Sequence, residues 1–423
     1  MQQDLPRWPI LLLGWLFPIM WLLGAGFLFV AVTGGICAWV LFRHRHVILP
    51  PGWFLWFAFL SLAIASVVQV DTSGRLVGYV MRLLTLLGAT AIGLYVYSAT
   101  PRSLSDRTVL TALMGLWVFV VVGGWLGVLF PEVVVSTPLS RIIPGALSSN
   151  SYVDSLVRPR FAEIQNPWGA EKPFLRPAAP FPGSNGWGCN VAMLLPLVVA
   201  MIAELRGLRR WLLLGVTVAA IIPAVQTLNR GLVLGGAVAL LYFAAHRLMR
   251  GHIGPALVTL LAGVGALIVA QATGVIAAFS ERLAVSNSND TRGAIYTEAF
   301  DRAVQSPWIG YGAPRPSLTR EVSVGTQGQV WYLMVSHGFL ALAFFILFFL
   351  VAAWVGRNAA GLALAAHIVV VVGLVLIWVY GLDGPQLAVF LLSAALSMRS
   401  VRTRPFPRLW ESDPSPGMSE SRT

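Results

Sequence analysis

The sequence predicts an all-α polytopic membrane protein, and three observations predict it. Apolar residues fill 57% of the 423 positions and charged residues only 11%, with a mean hydropathy of +0.76. Stretches of roughly 17–25 apolar residues, each able to cross a hydrocarbon core of about 30 Å as a helix, recur from Trp8 almost to Met398. All but one of the 29 basic residues are arginine, Lys172 being the exception, and they punctuate the ends of those stretches. A formal net charge of +12 therefore reflects membrane topology, and no nucleic-acid partner is expected.

Taken in order, the apolar runs predict about twelve transmembrane helices at 8–23, 25–42, 51–70, 76–97, 108–130, 189–204, 211–228, 231–246, 255–279, 330–354, 360–380 and 385–398. The first run has no small-residue cleavage site and leads straight into a second, so it reads as a helix rather than a removed signal peptide. Residues 1–404 form a single transmembrane domain, and 405–423 a short disordered cytoplasmic tail.

Arg43 and Arg45, Arg102 and Arg107, Arg206, Arg209 and Arg210, Arg247 and Arg250, Arg357, and the final Arg399, Arg402, Arg404 and Arg408 all fall on one side of this weave. Short loops rich in arginine stay in the cytoplasm, which places both termini there. Two loops on the other side are long, about 131–188 and 280–329. Chemistry needing many side chains has room only outside, so the active face is expected to be extracytoplasmic. The first long loop carries nine prolines from Pro131 to Pro182 and reads as an irregular lid.

In the second long loop, Asn289 or Asp290 can cap a helix from about Thr291 to Gln305, stopped by Pro307 before the Gly310-Tyr311-Gly312 turn. Arg292 then falls in the first turn, where free amides and a cation together suit an anion such as phosphate; the alternative is a salt bridge to Glu281 or Asp290. Arg230 stands in Asn229-Arg230-Gly231, the polar break between two short spans. It faces either a cavity or partner, or lipid headgroups as a snorkelling turn residue. Arg82, six residues into its span, and Arg176, in Phe174-Leu175-Arg176-Pro177, divide in the same way between an outer cavity and a solvated surface.

Of six histidines, His44, His46, His246 and His252 flank cytoplasmic loops, and His367 lies within the membrane. His337, about two turns into the tenth span from the outer face, reads either as a general base or as a satisfied buried imidazole. No phosphate-binding glycine loop, nucleophile elbow, metal-ligand cluster or disulfide framework is visible, so neither metal nor cofactor is expected. No internal repeat of the transporter kind is visible either.

Over roughly residues 174–345 the chain resembles the O-antigen ligase and O-antigen polymerase (lipid-linked glycan polymerase) family. The resemblance rests on Asn229-Arg230-Gly231, on Thr291-Arg292-Gly293-Ala294-Ile295-Tyr296 leading to Ser306-Pro307-Trp308-Ile309-Gly310-Tyr311-Gly312, and on Tyr332-Leu333 with Gly338-Phe339-Leu340. It implies a GT-C-like fold in the cytoplasmic membrane. The implied donor is a glycan on undecaprenyl diphosphate, joined without metal to a hydroxyl of an acceptor glycan or glycolipid. Arg230 and Arg292 match the family's arginines and would bind the diphosphate, with Arg82 and Arg176 as further candidates; His337 would be the base. The family's histidine stands about eleven residues before the glycine matched by Gly338, where this chain has Gln327. That departure leaves polymerase and ligase open, and Glu298, Asp301, Glu321 and Asp383 as further groups able to activate the acceptor. The non-enzymatic alternative is a transporter or flippase for an anionic lipid or solute.

Overall fold

Inside a bilayer every backbone N–H and C=O must be bonded within its own segment, so apolar runs fold as helices. The computed structural model describes residues 4–402 apart from 46, 146–150, 167–172, 286–287 and 319–322. His46, Lys172, Glu321 and the tail expected at 405–423 lie outside the described residues. The protein is a mostly helical, multi-pass membrane protein: among the described residues eight helical segments are long and apolar enough to cross a membrane, accompanied by the shorter apolar helices Trp8–Leu23, Trp53–Gln69 and Leu362–Leu376.

The first five helices are α1 (Trp8–Leu23), α2 (Phe29–His44), α3 (Trp53–Ala65), α4 (Ser73–Ser98) and α5 (Asp106–Leu129). Thr72 and Ser105 cap α4 and α5 by accepting from the backbone N–H groups of Arg75 and Thr108. α2 and α4 meet at Gly34 and Gly88, where a Cβ on either would collide with the other's backbone neighbourhood. Small residues allow such close approach where lipid offers no hydrophobic drive between helices.

The proline-rich segment after α5 is more ordered than an irregular lid. It holds α6 (Pro138–Ile142), α7 (Ser151–Val157) and an antiparallel pair, β1 (Ala162–Gln165) with β2 (Phe174–Pro177), registered so that Glu163 faces Arg176. Then come α8 (Ser184–Glu204), α9 (Gly207–Ala219), α10 (Ile221–Gln226), α11 (Arg230–Met249) and α12 (Ile253–Ala272). The span expected at 255–279 breaks at Gly274, whose φ of +75° suits a residue without Cβ, and resumes as α13 (Val275–Val285). The second long segment therefore opens with a helix. Its next helix, α14 (Ser288–Gln305), starts three residues before the expected Thr291, so Arg292 sits a full turn in rather than among the free first-turn amides.

After the small pair β3 (Arg315–Pro316) and β4 (Ser323–Val324), three helices close the bundle: α15 (Gln329–Gly356), α16 (Leu362–Leu376) and α17 (Pro385–Arg402). Every residue of α17 from Pro385 to Arg399 is buried, which makes it the centre of the bundle. Phe390 of α17 stacks on Phe349 of α15 with centroids 3.6 Å apart, and Trp56, Phe59, Phe345 and Phe348 extend the aromatic core toward α3. Arg399, which the charge pattern assigns to the cytoplasmic arginines, is fully buried. It pairs with Asp106 at 2.6 Å and donates to the Val96 carbonyl at 2.9 Å, fastening α17 to α4 and α5.

Candidate functional site

The break between α10 and α11 is built by Asn229. Its Oδ1 accepts from the N–H groups of Gly231 and Leu232, capping α11, while its Nδ2 donates to the Ser184 carbonyl at 3.1 Å. The Tyr380 hydroxyl donates to the same Oδ1. Gly231 is required because a Cβ there would lie 2.5 Å from the Tyr380 ring. Leu228 turns the chain with a φ of +43°, and Arg230 is thereby delivered, half-buried, as the first residue of α11.

Three more arginines converge on it. Arg176, 4% exposed, is held in β2 by its Nε donating to the Thr227 carbonyl at 2.9 Å and its Nη1 to Glu163 at 3.3 Å. Arg282 on α13 donates to the Leu228 carbonyl at 2.6 Å and to Gln165 at 3.3 Å. Arg292 on α14 lies one turn before Tyr296, whose ring stacks on Trp331 at 4.2 Å and whose hydroxyl donates to the Gln327 carbonyl at 3.2 Å. All four arginines line one cavity of about 650 Å³, together with Tyr296 and Tyr380. No described residue lining it is a carboxylate, and Arg292 makes no ion pair with Glu281; the side chain of Asp290, the other expected partner, lies outside the described residues.

Crowded guanidinium groups oppose one another. Burial pushes the Arg282 guanidinium down to about 10, and Arg176, Arg230 and Arg292 act in the same direction while Glu163 opposes. Burial likewise holds Arg176 below its ordinary range, opposed by Glu163 and reinforced by Arg292 and Arg230. Both stay charged at neutral pH, so the cavity carries concentrated positive charge that an anion would relieve.

Arg82 lies elsewhere. It pairs with Asp383, sits 4.5 Å over the Tyr332 ring, and lines a second cavity of about 340 Å³ with Glu163 and Asp383. The two cavities share Asn185, Gln327, Val379 and Tyr380 in their walls. His337 lines neither. It is 2% exposed, its Nδ1 is 2.7 Å from the Ser66 hydroxyl, and its ring meets Tyr332 edge-on at 5.6 Å, so the imidazole expected as a base faces packed protein. Glu298 is committed to holding a loop, accepting from Ser317 and the Leu318 N–H at 2.5 and 3.0 Å, and Asp301 lines neither cavity.

The Gly-Tyr-Gly turn and Gly338 prove to be one structural unit. α15 is kinked at Gly338 (φ +84°), and the backbone groups freed there are answered by the turn: Tyr311 N–H donates to Val335, Gly312 N–H to Ser336 and Phe339 N–H to Pro307, at 2.9, 2.7 and 2.8 Å. A Cβ at Gly338 would lie 2.6 Å from the Pro307 carbonyl oxygen.

Arg282, Glu163 and Tyr380 belong to these cavities although the sequence singled out none of them, and Tyr296, quoted there only as part of a motif, belongs to the first. Arg282 offered one signal, a lone arginine at the outer end of the ninth apolar run. Glu163 offered none, because its role depends on the register of β1 against β2. Among the described residues no three His, Cys, Asp or Glu side chains converge as metal ligands. No family model, no curated protein and no solved structure matches the chain.

Proposed function

We propose that this protein is a glycosyltransferase of the cell envelope, a polysaccharide polymerase or ligase that moves a glycan from undecaprenyl diphosphate to an acceptor hydroxyl. The observation that carries this reading is the cavity of four arginines, Arg176, Arg230, Arg282 and Arg292, without a carboxylate in its described lining. Guanidinium groups match paired phosphates as planar forks, and donors preset around a leaving diphosphate stabilise the charge that grows on it. Arg230 and Arg292 are also the residues on which the family resemblance rests.

In this reading twelve spans form a GT-C-like bundle in the cytoplasmic membrane, with both termini inside and the arginine cavity outside. The donor's sugar lies at the junction of the two cavities, its diphosphate among the arginines and its lipid tail in the bilayer. Deletion of the gene tests the reading. Loss of long glycan chains with lipid-linked units accumulating identifies a polymerase, and loss of all attached glycan a ligase. An unchanged glycan together with loss of anionic-solute or lipid movement would instead identify a transporter or flippase.

A further inference from the structure

The second cavity is chemically unlike the first. The charged side chains described in the walls of the arginine cavity are all guanidiniums, which suits an anion. The second mixes both polarities, and two residues that line it each carry a buried polar atom with no partner among the described residues: the indole Nε1 of Trp21, a donor, and the Oε1 of Gln386, an acceptor. Trp21 is 6% exposed and Gln386 4%. Buried polar groups are normally bonded, so a stranded donor and a stranded acceptor in one cavity mark a ligand that can both give and take hydrogen bonds. A hydroxyl does both. Glu163 and Asp383 add acceptors and Asn185 adds both kinds, while Phe17 and Phe181, stacked with centroids 5.9 Å apart, offer an aromatic wall to the apolar face of a sugar ring.

Glu163 stands where the cavities meet. It lines the second cavity, and its ion-pair partner Arg176 lines the first. Its Oε2 accepts from Ser184 at 2.7 Å and from Arg176 at 3.3 Å, and Oε1 remains for a ligand. Asp383, by contrast, is tied to Arg82.

We propose that the second cavity holds the acceptor sugar and that Glu163 takes the proton from its attacking hydroxyl. This rests on the transferase reading above. The acceptor O–H bond breaks with its proton passing to Oε1, and the oxygen's electron pair forms the new bond to the anomeric carbon of the donor. The bond from that carbon to the phosphate oxygen breaks, and its electron pair leaves on the diphosphate held by the arginines. The configuration at the anomeric carbon inverts, and the proton on Glu163 afterwards passes to water. Arg176 keeps the carboxylate aimed while itself facing the departing charge.

Two measurements on the full-length protein test this. Membrane vesicles from a deletion strain carrying each variant report chain growth on the strain's own lipid-linked glycan, and binding of undecaprenyl diphosphate to purified protein reports the first cavity. Glu163→Gln should lower the rate on the order of 10²–10⁴-fold, the usual contribution of a general base, while undecaprenyl diphosphate still binds within about threefold of the wild type. Glu163→Asp should recover part of the rate. Trp21→Phe, which keeps an aromatic ring but loses the indole N–H and part of its volume, and Gln386→Leu, which keeps the bulk, should each lower it by about tenfold through one lost hydrogen bond to the acceptor. A near-normal rate for Glu163→Gln overturns the base, and normal rates for both Trp21→Phe and Gln386→Leu overturn the cavity's assignment. If Glu163→Gln loses undecaprenyl diphosphate binding as severely as Arg292→Ala does, Glu163 is only the counter-ion of Arg176. A wild type that binds no undecaprenyl diphosphate overturns the transferase reading and this one with it.

Discussion

The Tyr380 hydroxyl donates to the Oδ1 of Asn229, and that same oxygen caps α11, so the segment after α16 sets the position of Arg230. Removing the cap by Asn229→Ala should cost about 1–2 kcal/mol from the lost N-cap, and should weaken diphosphate binding by loosening Arg230. Tyr380→Phe leaves the cap in place and should cost less. Thermal unfolding in detergent with and without inorganic pyrophosphate checks both; equal losses of pyrophosphate response in the two variants would disconnect the cap from the site.

The four-arginine cavity should be a place where anions stabilise the fold. With a pyrophosphate concentration 100 times its Kd, the wild type should gain about 2.7 kcal/mol by mass action. Arg282→Gln should shrink that gain. Its guanidinium is pushed down to about 10 by burial and by its neighbours, so between that value and the ordinary arginine range the native state is the one that binds fewer protons. Below about pH 10 the charged cluster is a standing cost to stability, lost only as pH rises through that value, and removing one of its charges should raise the stability of the anion-free protein. An unchanged pyrophosphate shift in Arg282→Gln would remove Arg282 from the site.

Arg292→Lys keeps a charge but loses the planar fork. If Arg292 meets the leaving diphosphate, glycan transfer should fall on the order of 10²–10³-fold in both Arg292→Lys and Arg292→Ala at normal protein levels. Transfer at the wild-type rate in both would leave Arg292 outside the chemistry.

Gly338→Ala should be poorly tolerated. Its φ of +84° and the 2.6 Å approach to the Pro307 carbonyl leave no room for a methyl group, and strain of this kind costs about 1–3 kcal/mol. His337→Gln, one residue away, should by contrast retain glycan transfer, because His337 packs against Ser66 and Tyr332 and lines neither cavity. Loss of transfer in His337→Gln with normal protein abundance would restore the imidazole as the base.

Topology can be read by labelling, since the native thiols Cys37 and Cys189 are both buried. Cysteine at Leu318, which is 80% exposed, should react with an impermeant thiol reagent in intact cells, and cysteine at Leu208, 73% exposed, should not. The reverse pattern would invert the protein in its membrane.

Helix existence was legible in the sequence because lipid permits few alternatives to a bonded helix. Helix ends were less so: the break at Gly274 and the early start of α14 depend on local turns that hydropathy does not register. Arg176, Arg230 and Arg292 were legible as isolated charges, and the structure brings those three together while placing Arg82 in the neighbouring cavity. The proline-rich segment hid its strands because β1 and β2 are four residues each, too short for alternation to be read, and only their register pairs Glu163 with Arg176. The glycines matched to the family motif were legible as special, yet their purpose is to seat a turn against a kinked helix.

The burial of α17 sets an order on assembly. The helix that fills the middle of the bundle is made after every other described helix, so those helices enter the membrane around a slot that α17 does not yet fill. Asp106 must wait through most of synthesis for its partner Arg399. A chain that stops before residue 399 leaves the bundle without its central helix and Asp106 without Arg399.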